Sequence, residues 1–156
     1  MLNLPRTKSC FVCGAHNPIG LQLQMETDGT QARVLFKFKP EHCGFRETVH
    51  GGLISTVLDE IMVWAIGVQA RRFAYCAELN VRFLKPVSPN VEIEARASKI
   101  VNKRNRLFEV EGEIVGPGGE ILATASGRYL ALPDVSLGAM MADFVDDPSS
   151  IIGPKP

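Results

Sequence analysis

The sequence predicts an α+β domain in which a curved antiparallel sheet of about six strands wraps around one long central helix. Three features of the sequence predict this fold. Two strand-like segments come first, an unbroken apolar segment of helical length follows, and four more strand-like segments come after it. The apolar segment is hydrophobic on every face, so it must lie inside the fold rather than on its surface.

Length, composition and charge favour a single soluble domain. The chain has 156 residues, 46% of them hydrophobic, and its 17 Lys and Arg residues balance its 17 Asp and Glu residues. Because basic and acidic residues are interspersed, we expect no nucleic-acid partner. Residues 1–8 contain no apolar run typical of a signal peptide, and Asp59 and Glu60 interrupt the longest apolar stretch. We therefore expect a cytoplasmic protein with no membrane partner.

The chain begins with a loop and a predicted hairpin. Residues 7–20 are rich in turn-forming residues, which predicts a loop. Residues 21–25 alternate apolar and polar side chains, and residues 32–38 do the same after a turn at 27–30. This pattern predicts two half-buried strands of a β-hairpin. We assign residues 1–20 to an N-terminal extension.

The long helix and four further strands follow. Residues 51–71 contain no proline and are apolar on all faces, which predicts a buried helix anchored by Trp64. The four strands are predicted at 73–84, 91–101, 106–115 and 120–132. We assign residues 21–132 to the central domain and residues 133–156 to a partly ordered C-terminal tail.

A glycine pair marks the predicted start of the helix. His50 precedes Gly51 and Gly52, where the first N–H groups of a helix have no partner within it. Two glycines let another group approach these amides closely, which predicts a site for an anion or for an oxyanion. The competing interpretation is that the glycines only permit tight packing of the helix end.

Asp59 lies about two turns inside the predicted helix, on the same stripe as Gly52, Ser55 and Thr56. An unpaired buried carboxylate costs several kcal/mol, so Asp59 needs a partner, a proton or a ligand cavity. Glu60 faces another side of the helix. Periodicity alone does not decide which of the two carboxylates is merely solvated or ion-paired.

Two stretches carry a family resemblance. Residues 49–59, VHGGLISTVLD, resemble the H-G-G-x6-D signature of hotdog-fold thioesterases of the phenylacetate-pathway type. Residues 76–86, CAELNVRFLKP, are similar to the strand that follows the helix in that family. With the order of the predicted strands, the resemblance covers roughly residues 20–132.

The resemblance implies an acyl thioesterase of hotdog fold that hydrolyses an acyl-CoA or acyl-carrier-protein thioester to a free acid and a thiol. It implies a homodimer or homotetramer with sites at subunit interfaces. By this resemblance the Gly52 N–H polarises the thioester carbonyl, Asp59 reaches in from the partner subunit as base or nucleophile, and His50 helps hold the carbonyl end of the site or its surrounding loop. The predicted substrate contacts are Gly51, Ser55, Thr56, Cys76 and Arg104.

Two positions depart from the better-known members of the family. Those members often carry Asn or another polar residue about six positions before the histidine, and Ser or Thr where Cys76 falls; this chain has Gly44 and Cys76. A thiol is a weaker donor and acceptor than a hydroxyl. Glu47, Thr48 or Glu78 would have to compensate for these changes.

The departures keep open the alternative of a non-catalytic acyl-CoA-binding hotdog module. A hotdog hydratase is disfavoured, because the chain has no Asp followed by a nearby His in the arrangement that those enzymes use.

The N-terminal loop carries a pair of cysteines. Cys10, Cys13 and Gly14 form a C-x-x-C-G motif that resembles an extension found in a subset of hotdog proteins. The favoured interpretation is a turn with reduced thiols and no cofactor, because no second cysteine pair with zinc-site spacing exists. The alternative is a structural zinc whose remaining ligands come from His16, His42 or Cys43.

Basic residues near the helix end and near one turn offer contacts for coenzyme A phosphates. They are Arg71, Arg72, Lys99, Lys103, Arg104 and Arg106. The competing interpretation is that the first two complement the helix dipole and that the others are solvated turn residues.

Overall fold

The computed structural model describes residues 1–151, apart from the side chains of 99, 134–137 and 150. Its elements in chain order are β1 (Leu2–Asn3), β2 (Glu26–Thr27), β3 (Ala32–Lys37), β4 (Cys43–Phe45), β5 (Thr48–Val49), α1 (Gly51–Ala70), β6 (Ala74–Phe83), β7 (Glu92–Lys103), β8 (Leu107–Val115), β9 (Ile121–Ala131) and α2 (Asp134–Met141). Short 3-10 turns occupy Pro40–His42 and Pro148–Ser150.

One large antiparallel sheet packs against the long helix. Its seven described strands run in the order β1-β2-β3-β7-β8-β9-β6, while β4 and β5 form a separate two-stranded ribbon just before α1. Helix α1 contacts β3, β6, β7, β8 and β9, so it lies in the concave face of the sheet. This confirms the predicted α+β architecture; the two-residue edge strand β1 was not predicted.

The prediction of a strand over residues 21–25 is wrong. Only Glu26–Thr27 pairs with β3. Gln22 takes a left-handed backbone conformation with φ 53°, which breaks an extended strand. The N–H groups of Leu21 and Leu23 donate instead to the carbonyls of Phe11 and Val12, at 2.7 and 2.8 Å. The segment therefore completes the N-terminal loop rather than the sheet.

Helix α1 ends one residue before its predicted end. Arg71 terminates it in the left-handed conformation, with φ 55° and its N–H donating to the Gly67 carbonyl at 3.0 Å. With 20 residues and a mean hydropathy of 1.5, the helix is long and apolar enough to cross a membrane, but half of it is buried inside the fold. Trp64, at 2% exposure, anchors it as predicted.

The two ends of the chain pack together beside α1. The Phe144 ring lies 6.3 Å from Trp64 and 5.9 Å from Phe73, measured between ring centroids. The N–H of Lys8 donates to the Asp143 carbonyl at 2.7 Å. The predicted tail thus contains α2 and a buried aromatic anchor; its last residues, 152–156, lie outside the described residues.

Candidate active site

His50 caps the start of α1. Its Nδ1 accepts a hydrogen bond from the Gly52 N–H at 2.9 Å, and its own N–H donates to the His42 carbonyl at 2.9 Å. Because Nδ1 is the acceptor, the neutral ring carries its proton on Nε2. The His50 ring is therefore held by an N–H group of the first helical turn.

The two glycine amides differ in availability. The Gly52 N–H is engaged by His50, whereas no described residue accepts a hydrogen bond from the Gly51 N–H. A Cβ added to Gly51 would lie 3.1 Å from the Phe83 ring, which would have to shift by a few tenths of an ångström. In this conformation, Gly51 rather than Gly52 presents the open amide.

The hydroxyls of Ser55 and Thr56 bind the backbone of the first helical turn. Ser55 Oγ donates to the Gly51 carbonyl at 2.9 Å, and Thr56 Oγ1 donates to the Gly52 carbonyl at 2.8 Å. Both predicted contact residues thus line the stripe that leads from the helix start to Asp59, and both support the glycine pair.

Asp59 is half-buried and is held by a residue that the sequence did not reveal. Its Oδ1 accepts a hydrogen bond from the Tyr129 hydroxyl at 2.9 Å. Tyr129, on β9, is paired in the sheet with Cys76 on β6, whose thiol lies close enough to Asp59 for the carboxylate charge to act on it. None of the ion pairs in the described part of the chain involves Asp59. The carboxylate is therefore positioned by a neutral donor, the Tyr129 hydroxyl.

Both neighbours of Asp59 stay protonated near neutral pH. Desolvation, followed by the negative charge of Asp59, raises the pKa of the Cys76 thiol to about 11. The same two causes, in the same order, raise the pKa of Tyr129 above its ordinary value. Cys76 is consequently a neutral thiol here and not a thiolate nucleophile.

Glu60 points into different surroundings. Its Oε1 accepts the indole N–H of Trp64 at 2.9 Å and lies 3.5 Å from Cys10 Sγ. The two neighbouring carboxylates, which periodicity alone did not distinguish, therefore belong to separate clusters.

The two unusual positions have different explanations. A Cβ on Gly44 would lie 2.5 Å from His50 Cδ2, so no side chain fits there while the histidine keeps its place. Cys76 keeps a donor beside Asp59. Of the residues expected to compensate, Thr48 donates to the Arg46 carbonyl at 3.4 Å, and Glu78 accepts from Asn80 at 3.0 Å.

The basic residues with described side chains have no contact with these groups, and the side chain of Lys99 lies outside the described part of the chain. Arg104 is exposed in the β7–β8 turn with φ 57°, and no described contact connects it to Asp59 or to the helix start. Lys103 pairs with Glu109 at 2.7 Å, and the guanidinium of Arg72 donates to the Leu132 carbonyl at 3.3 Å. Lys85, by contrast, lines a groove of about 340 Å³ together with Gly51 at the helix start.

The glycine pair and Asp59 are separated along the helix. Seven residues at about 1.5 Å each place them about 10 Å apart along the axis. Reacting atoms need to lie within about 3.5 Å of one another. One chain therefore does not bring its own helix start and its own Asp59 to the same carbonyl carbon.

Comparison with known proteins identifies the family. The thioesterase superfamily matches residues 47–123, which contain the glycine pair, Asp59 and Cys76. Over these residues, just under half of the chain, the protein matches this superfamily of thioester hydrolases. A search of curated proteins finds no match by sequence.

Several solved structures share the fold. The E. coli PaaI protein from the phenylacetic acid degradation operon has 18% identity and a TM-score of 0.66, over 72% of this chain and 81% of that chain. A mutant of the PaaI protein from Thermus thermophilus has 23% identity and a TM-score of 0.63, over 70% and 93%. A Streptococcus mutans protein bound to acetyl-CoA has 14% identity and a TM-score of 0.64, over 70% and 88%. The architecture is that of the hotdog thioesterases.

Proposed function

We propose that the protein hydrolyses acyl-CoA thioesters, with Asp59 as the base or nucleophile. The observation that carries the proposal is the state of this carboxylate: it is half-buried, it is held at 2.9 Å by the Tyr129 hydroxyl, and it takes part in no ion pair of the described residues. Such a group is available to a substrate because no cation of the described residues pairs with it. The acetyl-CoA bound to a structurally similar protein supports a coenzyme A thioester as substrate.

Asp59 acts by one of two routes. It either attacks the thioester carbonyl carbon, forming an acyl anhydride that water then hydrolyses, or it removes a proton from the water that attacks. In both routes the C–S bond breaks and the coenzyme A sulfur leaves as a thiol after protonation. Tyr129 orients the carboxylate throughout as a protonated donor, and Cys76 stays a neutral thiol beside it.

The start of α1 supplies the oxyanion donors. The Gly51 N–H has no partner in the described residues, and the Gly52 N–H becomes a second donor when the His50 ring turns away. The groove beside Gly51, about 340 Å³ in volume and lined by Phe83 and Lys85, accepts the coenzyme A arm. The ammonium group of Lys85 is suited to a phosphate.

The complete site is shared by two subunits. Because the helix start and Asp59 of one chain lie about 10 Å apart along α1, each site combines Asp59 of one subunit with the glycine pair of another. Strand β6 forms the edge of the sheet, is ten residues long, and exposes Tyr75 and Phe83 to 63% and 54%. A long exposed edge of this kind is normally paired, here with a second copy in a homodimer.

A thiol-release assay over short, aromatic and long acyl-CoAs tests the activity. Subunit complementation tests the shared site: Asp59→Asn and Gly51→Val chains, each inactive alone, are co-expressed with different tags. Random pairing gives about half mixed dimers, each with one intact site, so activity should return to about a quarter of that of the unmodified protein. No activity above that of the parents, or a light-scattering mass of one chain, would contradict the shared site.

A non-catalytic acyl-CoA-binding module remains the second candidate. The engagement of the Gly52 N–H by His50 favours it, because a permanently satisfied amide does not stabilise an oxyanion. Retained binding of acyl-CoA without thiol release across the panel would establish this alternative.

A further inference from the structure

Three metal-ligating side chains from distant parts of the chain meet beside α1, on the side that faces the N-terminal loop. Cys10 Sγ, Cys13 Sγ and a carboxylate oxygen of Glu60 all lie within 4.8 Å of one another. Cys13 is only 1% exposed, and Cys10 and Glu60 are half-buried. The proposed hydrolysis uses none of them.

We propose that Cys10, Cys13 and Glu60 bind a zinc ion, with water as the fourth ligand, and that this ion fastens the N-terminal loop to the central helix. Two thiolates and a carboxylate are an acceptable donor set for zinc. The site is separate from the Asp59 cluster, and its existence does not depend on the proposed hydrolysis.

The distances agree with tetrahedral coordination. Typical Zn–S and Zn–O bonds in a tetrahedron place a sulfur and an oxygen ligand about 3.5 Å apart. Cys10 Sγ lies 3.5 Å from Glu60 Oε1. Two sulfur ligands on one zinc are about 3.8 Å apart, and the two cysteine sulfurs lie within 4.8 Å of one another. Small side-chain rotations therefore suffice to admit the ion.

The backbone of the C-x-x-C-G motif is shaped to support a thiolate. The Cys10 sulfur accepts the N–H groups of Val12 and Cys13, at 3.2 and 3.5 Å. Two donors directed at one sulfur suit a thiolate, because a neutral thiol is a weak acceptor. The turn requires Gly14, since a Cβ there would lie 2.2 Å from the Cys10 carbonyl oxygen.

A second donor orients the carboxylate ligand. The Trp64 indole N–H binds Glu60 Oε1 at 2.9 Å, and Trp64 is itself only 2% exposed. Donors around the ligands fix their orientation and offset the surplus negative charge of three anionic ligands on a divalent ion. The Glu60 carboxylate is thus held in a fixed orientation.

The N-terminal loop is a segment that a bound metal would stabilise. Between Thr7 and Gly20 the described chain forms turns and one isolated bridge, from Thr7 to Phe144, rather than a regular element. A short segment with little apolar burial gains folding free energy from a metal. The histidines considered as ligands from the sequence are placed elsewhere: His16 is exposed, and His42 Nδ1 accepts the Lys39 N–H at 3.1 Å.

Metal analysis of the full chain, purified under reducing conditions without chelator and equilibrated with zinc, tests the proposal. We expect about one zinc per chain, and none in a Cys10→Ser Cys13→Ser variant. Cys43→Ser is the matched control, because that half-buried cysteine lies outside the cluster, and it should keep its zinc. Zinc well below about half an equivalent, a Cys10–Cys13 disulfide without metal, or zinc that persists in the double variant would overturn the proposal.

Two measurements keep the test independent of how the double variant folds. Cobalt added to the metal-free natural chain should give the near-ultraviolet charge-transfer band of thiolate ligands and the visible absorption of tetrahedral cobalt; absence of both would overturn the site. Glu60→Gln keeps an acceptor for Trp64 but loses the anionic ligand. We expect it to weaken zinc binding at least tenfold, since even the loss of an outer partner costs about 10- to 100-fold. Unchanged affinity would remove Glu60 from the ligand set.

Discussion

Asp59 and Glu60 are one position apart on the same helix, yet they occupy opposite kinds of surroundings. Asp59 faces Tyr129 and Cys76, on the stripe of α1 that contains the glycine pair. Glu60 is enclosed by Trp64 and the cysteine pair of the N-terminal loop. A step of one residue turns a side chain by about 100° around a helix. Neighbouring carboxylates can therefore serve catalysis and structure separately.

The two clusters differ in the side chains that surround each carboxylate. Around Asp59 the neighbours, Tyr129 and Cys76, stay protonated and leave the carboxylate available to a substrate. Around Glu60 the neighbours are two cysteines of the N-terminal loop, which together with the carboxylate form the proposed zinc site. The most informative tests make the same kind of substitution at one residue of each cluster.

The largest expected effect is that of Asp59→Asn. The amide keeps the size and most hydrogen bonds of the side chain but removes the base, so kcat should fall on the order of a hundredfold or more. The oligomeric state and acyl-CoA affinity should survive. Glu60→Gln, assayed in parallel by steady-state kinetics, should change kcat by less than about threefold. The reverse pattern would show that Glu60 is the catalytic carboxylate, and no change in either would place the active site elsewhere.

A smaller effect is expected for the donors. Tyr129→Phe removes the hydroxyl that positions Asp59, and a hydrogen bond to a charged group contributes about 1.5–3 kcal/mol. Since about 1.4 kcal/mol corresponds to tenfold in rate, kcat should fall about tenfold or somewhat more, with KM little changed. Trp64→Phe is the matched variant beside Glu60 and should leave kcat of the folded protein within about twofold. Equal losses of kcat in both variants would indicate a general packing effect instead.

The smallest effect concerns the reactivity of Cys76. The folded pKa of its thiol, about 11, lies above the ordinary value of 9.0, so alkylation by iodoacetamide at pH 9 should be slower than in the unfolded chain. The stabilisation linked to this protonated thiol is complete below pH 9 and is lost as the pH rises towards 11. Asp59→Asn removes one of the two main causes and should speed alkylation severalfold, whereas Glu60→Gln should not.

Mass spectrometry of the labelled peptides separates Cys76 from the other cysteines. A Cys76 that reacts at the same rate with and without the Asp59 carboxylate would show that the two groups do not interact as the structure places them.

Much of the fold follows from local patterns. The uninterrupted apolar segment predicted α1 to within one residue, because helix length, the absence of proline and the glycine pair are all encoded side by side. The four later strands were predicted because strand-forming residues and the turn residues between them are also local features of the sequence. The strand predicted over residues 21–25 was wrong although apolar and polar side chains do alternate there. The positive φ of Gln22 and the hydrogen bonds to the N-terminal loop prevent the segment from joining the sheet.

For the site, the sequence alone determined the helix start, the position of Asp59 along the helix and the closeness of Cys10 to Cys13. These features depend on spacings of a few residues. Only the tertiary structure decided that Tyr129, 70 residues away, holds Asp59, and that Glu60, 50 residues away, joins Cys10. It also decided that His50 occupies the Gly52 amide. Contacts of this kind depend on sheet register and on loops folding back over the helix, and side-chain periodicity carries no information about either.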